Sequence, residues 1–197
     1  MSDTPLLVGV TGHRDLTEAS TREATEAVGQ LFASLKERLP HTPVRLMTGL
    51  AEGADRLAAQ AALEAGFTVQ AVLPMPAELY EKDFSAESLQ AFRQLLSQKG
   101  VKVVELPLPA DVTTEQAGKQ GADRDRLYAR LGEYLIERSS ILLAIWDGED
   151  NQLLGGTSDV VLRYLESGGV SHSDGSKVRF VDTSESGFQG SEFVYWV

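Results

Sequence analysis

LLVGVTGHRDL, residues 6–16, runs from an apolar segment directly into Gly12, His13, Arg14 and Asp15. The apolar part, residues 6–11, has the composition of a strand covered on both faces, as in a parallel sheet. Residues 17–39 then carry Val28, Leu31, Phe32, Leu35 and Leu39 at helical spacing. A buried strand followed by an amphipathic helix is the first step of a βαβ unit. Asp15 is placed to cap that helix, with Glu18 closing a capping box. His13 and Arg14 have no such duty. Arginine suits bidentate recognition of a phosphate, and histidine can donate, accept or stack. At the end of a buried first strand these two residues are candidates for ligand contact.

The same alternation continues along the chain. Strands are expected at 44–48, 67–74, 101–106, 140–146 and 178–182, and helices over 52–66, 85–100, 123–138 and 157–166. Pro40, Pro43, Pro74, Pro76, Gly66 and Gly100 punctuate the boundaries. The first, third and fifth strands are nearly continuous in apolar residues. The fold class is therefore α/β: a Rossmann-like, doubly wound, mainly parallel sheet with helices on both faces. Arg124, Arg126, Tyr128 and Arg130 read as a solvated face of the fourth long helix. The ending SEFVYWV, residues 191–197, reads either as an edge strand or as the point where a longer protein was cut.

In such a sheet, ligands bind outside the carboxyl ends of the strands. Three strand ends carry suggestive residues. Thr11, Gly12, His13 and Arg14 follow the first, and TGLAEGAD, residues 48–55, follows the second. There, Gly49 and Gly53 bracket a turn into a helix, and Glu52 and Asp55 either stabilise the helix dipole or bind ribose hydroxyls. The third stretch is WDGEDNQLLGGTSD, residues 146–159. It places Trp146 and Asp147 at a strand end, and Gly155, Gly156 and Thr157 at the start of a helix suited to a phosphate.

The chain has 197 residues, 42% hydrophobic and 24% charged, and reads as one domain over 1–197 or as the N-terminal part of a longer protein. It has no cysteine, no apolar run near membrane-spanning length and no basic-then-apolar leader, so a cytoplasmic protein is expected. Three scattered histidines offer no metal-binding spacing, and neither a metal nor a cofactor is expected. A net charge of -11 argues against nucleic acid as a partner, while leaving room for a pocket that takes one small anion.

Taken together, VGVTGHRDL, LMTGLAEGADRLAAQAALEAGFTVQAVLPMP and RSSILLAIWDG…GGTSDVV resemble the SLOG superfamily. That superfamily unites DNA-processing protein A, the Lonely Guy phosphoribohydrolases and stand-alone nucleotide-sensor domains, and the resemblance spans about residues 6–166. It implies a Rossmann-like fold with a pocket for a nucleotide or an NAD-derived ligand, closest in type to bacterial sensor members linked to effector domains. The Lonely Guy signature has Pro-Gly-Gly-x-Gly-Thr and then a catalytic glutamate three residues after the threonine. Here Gly155-Gly156-Thr157 keeps the binding element, but Val160 stands in the glutamate position and Asp159 lies one residue early.

Three functions are carried forward. The first is a sensor for a nucleotide-like small molecule, ADP-ribose-like or cyclic, that regulates a fused or associated effector or acts as a homo-oligomer. Its ligand-binding set is Thr11, Gly12, His13, Arg14, Gly49, Glu52, Gly53, Asp55, Trp146, Asp147, Gly155, Gly156 and Thr157. The alternative is an enzyme acting on the N-glycosidic bond of a nucleotide, with Glu52, Asp55, Asp147 and Asp159 as the candidate carboxylates. The third is an interaction domain whose EFVYWV continues into, or docks on, a partner. The missing glutamate tilts the choice toward sensing.

Overall fold

A computed structural model of the chain describes residues 4–148, 152–166 and 193–196. It opens with β1 (Leu6–Gly12), α1 (Glu18–Arg38), β2 (Val44–Thr48), α2 (Ala54–Glu64) and β3 (Thr68–Leu73). A short α3 (Ala77–Tyr80) and a 3₁₀ turn (Glu81–Asp83) precede α4 (Ala86–Leu96) and β4 (Val101–Glu105). Then come a short α5 (Thr114–Ala117), α6 (Ala122–Arg138), β5 (Ile141–Ile145), α7 (Thr157–Glu166) and β6 (Phe193–Trp196). The six strands form one sheet in the order β4-β3-β2-β1-β5-β6, and every pair is parallel.

The period-2 alternation of each strand divides its side chains between the two faces. From β1 and β5, Val8, Val10, Ile141, Leu143 and Ile145 pack in the main core with Ala24, Val28, Leu31, Phe32 and Leu35 of α1 and the alanines of α2. Leu142 and Ala144 point the other way, with Trp146, onto Val160, Val161 and Tyr164 of α7. Met47 and Val72 meet Leu135 of α6 on that same side. This two-sided coverage explains why β5 is buried at all five positions. The outer strand β4 is largely exposed by comparison.

Several expectations change at the boundaries. The cap of α1 is Thr17, whose side chain accepts from Ser20 N at 3.1 Å; Asp15 stays outside the helix and lines the clefts described below. The segment between Pro76 and Ser85, outside every expected element, forms α3 and a 3₁₀ turn. Arg124 is not on a solvated face: it is 2% exposed and pairs with the buried Asp83 at 2.7 Å. The expected strand at 178–182 lies outside the described residues, whereas Phe193–Trp196 takes the edge position beside β5.

Candidate functional site

The strand order reverses at β1: β2, β3 and β4 lie to one side of it, β5 and β6 to the other. The chain leaving β1 and the chain leaving β5 go to helices on opposite faces, which opens a crevice between their carboxyl ends. A cleft of about 320 Å³ occupies it. Thr11, Gly12, His13, Arg14, Gly49, Asp55, Gly155, Gly156 and Thr157, chosen from three separate stretches of sequence, all line this cleft. Glu52, Gly53, Trp146 and Asp147 do not.

One wall is the loop from β2 to α2. Leu50 in this loop is buried and holds a positive φ of 54°, a conformation that costs a leucine about 1–2 kcal/mol. The loop is held there from below. Thr48 Oγ1 accepts from Leu50 N at 2.9 Å and donates to Asp55 Oδ2 at 2.9 Å, and Ala51 N donates to the same carboxylate oxygen at 3.3 Å. Asp55 is 7% exposed. Burial pushes its pKa up to about 6, against the opposing pull of the Thr48 and Ala51 hydrogen bonds.

Gly53 serves this wall from behind. Its φ is +70°, and a Cβ there would sit 2.3 Å from the carbonyl oxygen of Arg14 and 2.5 Å from that of His13. Only glycine lets α2 start so close to the β1–α1 loop, which Ala54 N secures by donating to His13 O at 3.1 Å.

Arg14 stands at the mouth of the cleft, exposed, with its guanidinium 5.5 Å from the centre of the Tyr128 ring. It has no ion-pair partner among the described residues. Partial burial works against its charge, but the Tyr80, Tyr128 and Asp83 oxygens outweigh that and hold its pKa above the ordinary arginine value. Beneath it, the Tyr128 hydroxyl donates to Asp83, and the Asp83–Arg124 pair is anchored by Arg124 donating to Ala117 O and, at 3.1 Å, to Leu79 O. Burial, reinforced by the bond to Asp83, pushes the Tyr128 pKa up to about 12, so its phenol stays protonated.

The opposite wall is the start of α7. Gly155, at φ +73°, lies so close to α6 that a Cβ would be 2.5 Å from Ala129 N. Asp159 Oδ2 accepts from Gly155 N at 2.9 Å, and its Oδ1 accepts from Arg163 Nε at 2.8 Å. Asp159 thus braces the Gly-Gly-Thr turn and is committed away from the cleft. Of the four candidate carboxylates, Asp55 alone reaches the cleft lining.

His13 divides this cleft from a neighbouring one of about 380 Å³, which Trp146 and Asp147 line together with Thr17, Ser20 and Glu23 of α1. His13 Nε2 lies 3.0 Å from Asp147 Oδ1. Trp146 is 7% exposed and packed in the cluster beneath α7, so it serves as a core residue instead of flanking the first cleft. Among the described residues no cluster of His, Asp and Glu has the geometry of a metal site. No described helix is long and apolar enough to cross a membrane.

Tyr80, Tyr128 and Leu131 line the cleft and were not anticipated as site residues. Leu131 follows Tyr128 by one helical turn of α6, so a register of that helix facing the sheet end would have flagged both. Tyr80 belongs to a four-residue helix with no periodicity to read.

A sequence model of the family described as DNA recombination-mediator protein A matches residues 1–136. No curated protein sequence matches the chain. Among solved structures, DNA processing protein A from Streptococcus pneumoniae superposes with a TM-score of 0.53 at 16% identity, over 83% of this chain and 48% of that one. The chain therefore spans about half the length of that relative. A Helicobacter pylori DNA processing protein A, described with its single-stranded DNA binding mode, gives 0.46 at 16% identity, over 85% of this chain and 75% of that one. The molybdenum cofactor binding protein of Rippkaea orientalis gives 0.46 at 18% identity, over 84% and 74%.

The SLOG-type, Rossmann-like fold read from the three motifs stands. The exclusion of nucleic acid does not. A family described by DNA recombination overturns it, because a net charge of -11 averages over a whole surface and says little about one cleft. The chain belongs to the DNA recombination-mediator protein A family.

Proposed function

We propose that the cleft at the β1/β5 switch point binds a nucleotide-like ligand, with its phosphate between Arg14 and the N-terminus of α7. The observation that carries this reading is the pairing of those two elements. An arginine with no carboxylate partner among the described residues faces a helix start whose Gly155, Gly156 and Thr157 line the same space, and both favour an anion. The apolar share of the lining, from Val10, Leu131, Leu135 and Val160, suits a base or sugar face. An ADP-ribose-like or cyclic nucleotide fits the same description, and regulation of an effector is the role the resemblance to sensor members suggests.

Family membership favours a second source of the same chemistry, a nucleotide unit within single-stranded DNA. A thermal-shift series with AMP, ADP-ribose and an oligo(dT) strand separates the two. Stabilisation by the mononucleotides supports the small-molecule reading. A response to oligo(dT) alone moves the function to DNA, and no response to any of them removes the proposal.

A further inference from the structure

Tyr80 is fully buried, and its hydroxyl has no hydrogen-bond partner among the described residues. Its ring is packed edge-on among Phe84 at 5.0 Å, Phe92 at 5.8 Å and Tyr128 at 6.2 Å. Phenylalanine would fill that aromatic cluster equally well and avoid the cost of a buried, unsatisfied hydroxyl. The hydroxyl lies at the floor of the cleft beside Gly49. A Cβ on Gly49 would come 3.8 Å from Tyr80 Oη and 3.3 Å from Asp55 Oδ2, so the two oxygens flank the same glycine.

The two neighbours restrict what can stand there. The Tyr80 phenol, whose pKa burial raises well above the ordinary value, is a donor awaiting an acceptor. The Asp55 carboxylate accepts. A single atom serving both must take a hydrogen bond and give one. A phosphate oxygen is repelled by the carboxylate, an ammonium cannot accept, and an amide splits the two roles between separate atoms. A hydroxyl meets both demands.

We infer that Gly49, Asp55 and Tyr80 form a subsite for a sugar hydroxyl, so that the cleft selects ligands carrying a free ribose hydroxyl at the end opposite the anion. This rests on the nucleotide reading proposed above. Tyr80 is the specificity-determining residue, and Gly49 puts no side chain between the two oxygens.

Calorimetric titration of AMP and 2′,3′-dideoxy-AMP into the wild-type chain and Tyr80→Phe tests it, with the melting temperature of each ligand-free protein. The wild type should bind dideoxy-AMP at least about tenfold more weakly than AMP. Tyr80→Phe should bind both at the weaker level, yet melt higher than wild type without ligand, because an unsatisfied buried group has gone. A purely structural tyrosine gives the opposite melting shift. Gly49→Ala, whose Cβ displaces the end of the Leu131 side chain at 2.8 Å and presses on Asp55 Oδ2 at 3.3 Å, should also lose the preference for AMP. Equal wild-type affinity for the two nucleotides, or a preference retained by Tyr80→Phe, overturns the inference alone. A wild type that binds neither overturns the nucleotide reading and the inference with it.

Discussion

Asp55 is held where a carboxylate is uncomfortable. Its hydrogen bonds with Thr48 and Ala51 fix the loop that forms one wall of the cleft, but burial raises its pKa from 3.8 to about 6. Between these values the folded state holds more protons than the unfolded chain, so this residue's contribution favours folding at low pH and fades as the pH climbs through 6. Ionised Asp55 therefore costs on the order of 2–3 kcal/mol at neutral pH relative to a group without the shift. Asp55→Asn keeps the shape and one acceptor oxygen. Urea denaturation of both proteins at pH 4.5 and pH 7.5 should show the wild type losing stability relative to Asp55→Asn at the higher pH. A gap independent of pH would contradict the account. A stability cost kept at a cleft wall is common where a group is needed for a ligand. Arg14 and Tyr80 repeat the pattern in other forms: among the described residues, an exposed cation without a carboxylate and a buried hydroxyl without a partner.

At the level of elements, the site is built where strands stop and helices start. Gly53 lets α2 begin against the loop that carries His13 and Arg14, and Gly155 lets α7 begin against α6. Gly53→Ala meets both a positive φ and backbone carbonyl oxygens closer than 2.6 Å. It should destabilise the fold by about 2 kcal/mol or more, measured by chemical denaturation, and weaken ligand binding by shifting Arg14. A variant of wild-type stability would show that the two loops can part without cost. The long elements were legible in the sequence. Apolar strands and 3.6-residue spacing are local signals, and α6 and α7 fall within a residue of their expected starts. The three strand-end motifs were legible too, because parallel topology brings carboxyl ends together wherever they lie in the chain. Tyr80, Asp83 and Arg124 were not. Their burial depends on a short helix and a 3₁₀ turn meeting α6, with Tyr128 and Asp83 separated by 45 positions, and no local spacing encodes that contact. Trp146 illustrates the converse. It sits at a strand end, but the period-2 alternation of β5 sends it to the α7 side.

At the scale of the whole molecule, a parallel sheet, six-stranded among the described residues and with its order reversing at β1, provides a crevice into which three distant segments converge. Its overall charge of -11 makes an anion site there depend on a few local groups, chiefly the Arg14 guanidinium and the amide end of α7. That dependence is the central claim, and a calorimetric titration of AMP into the wild-type chain and into Arg14→Ala tests it most directly. Arg14 is exposed, so the variant should keep the wild-type melting temperature. Its affinity for AMP should fall by about 10–100-fold, the loss expected for one or two charge-assisted hydrogen bonds to phosphate, and should become less sensitive to salt. An Arg14→Ala protein that binds AMP as tightly as wild type would place the phosphate elsewhere and contradict the account.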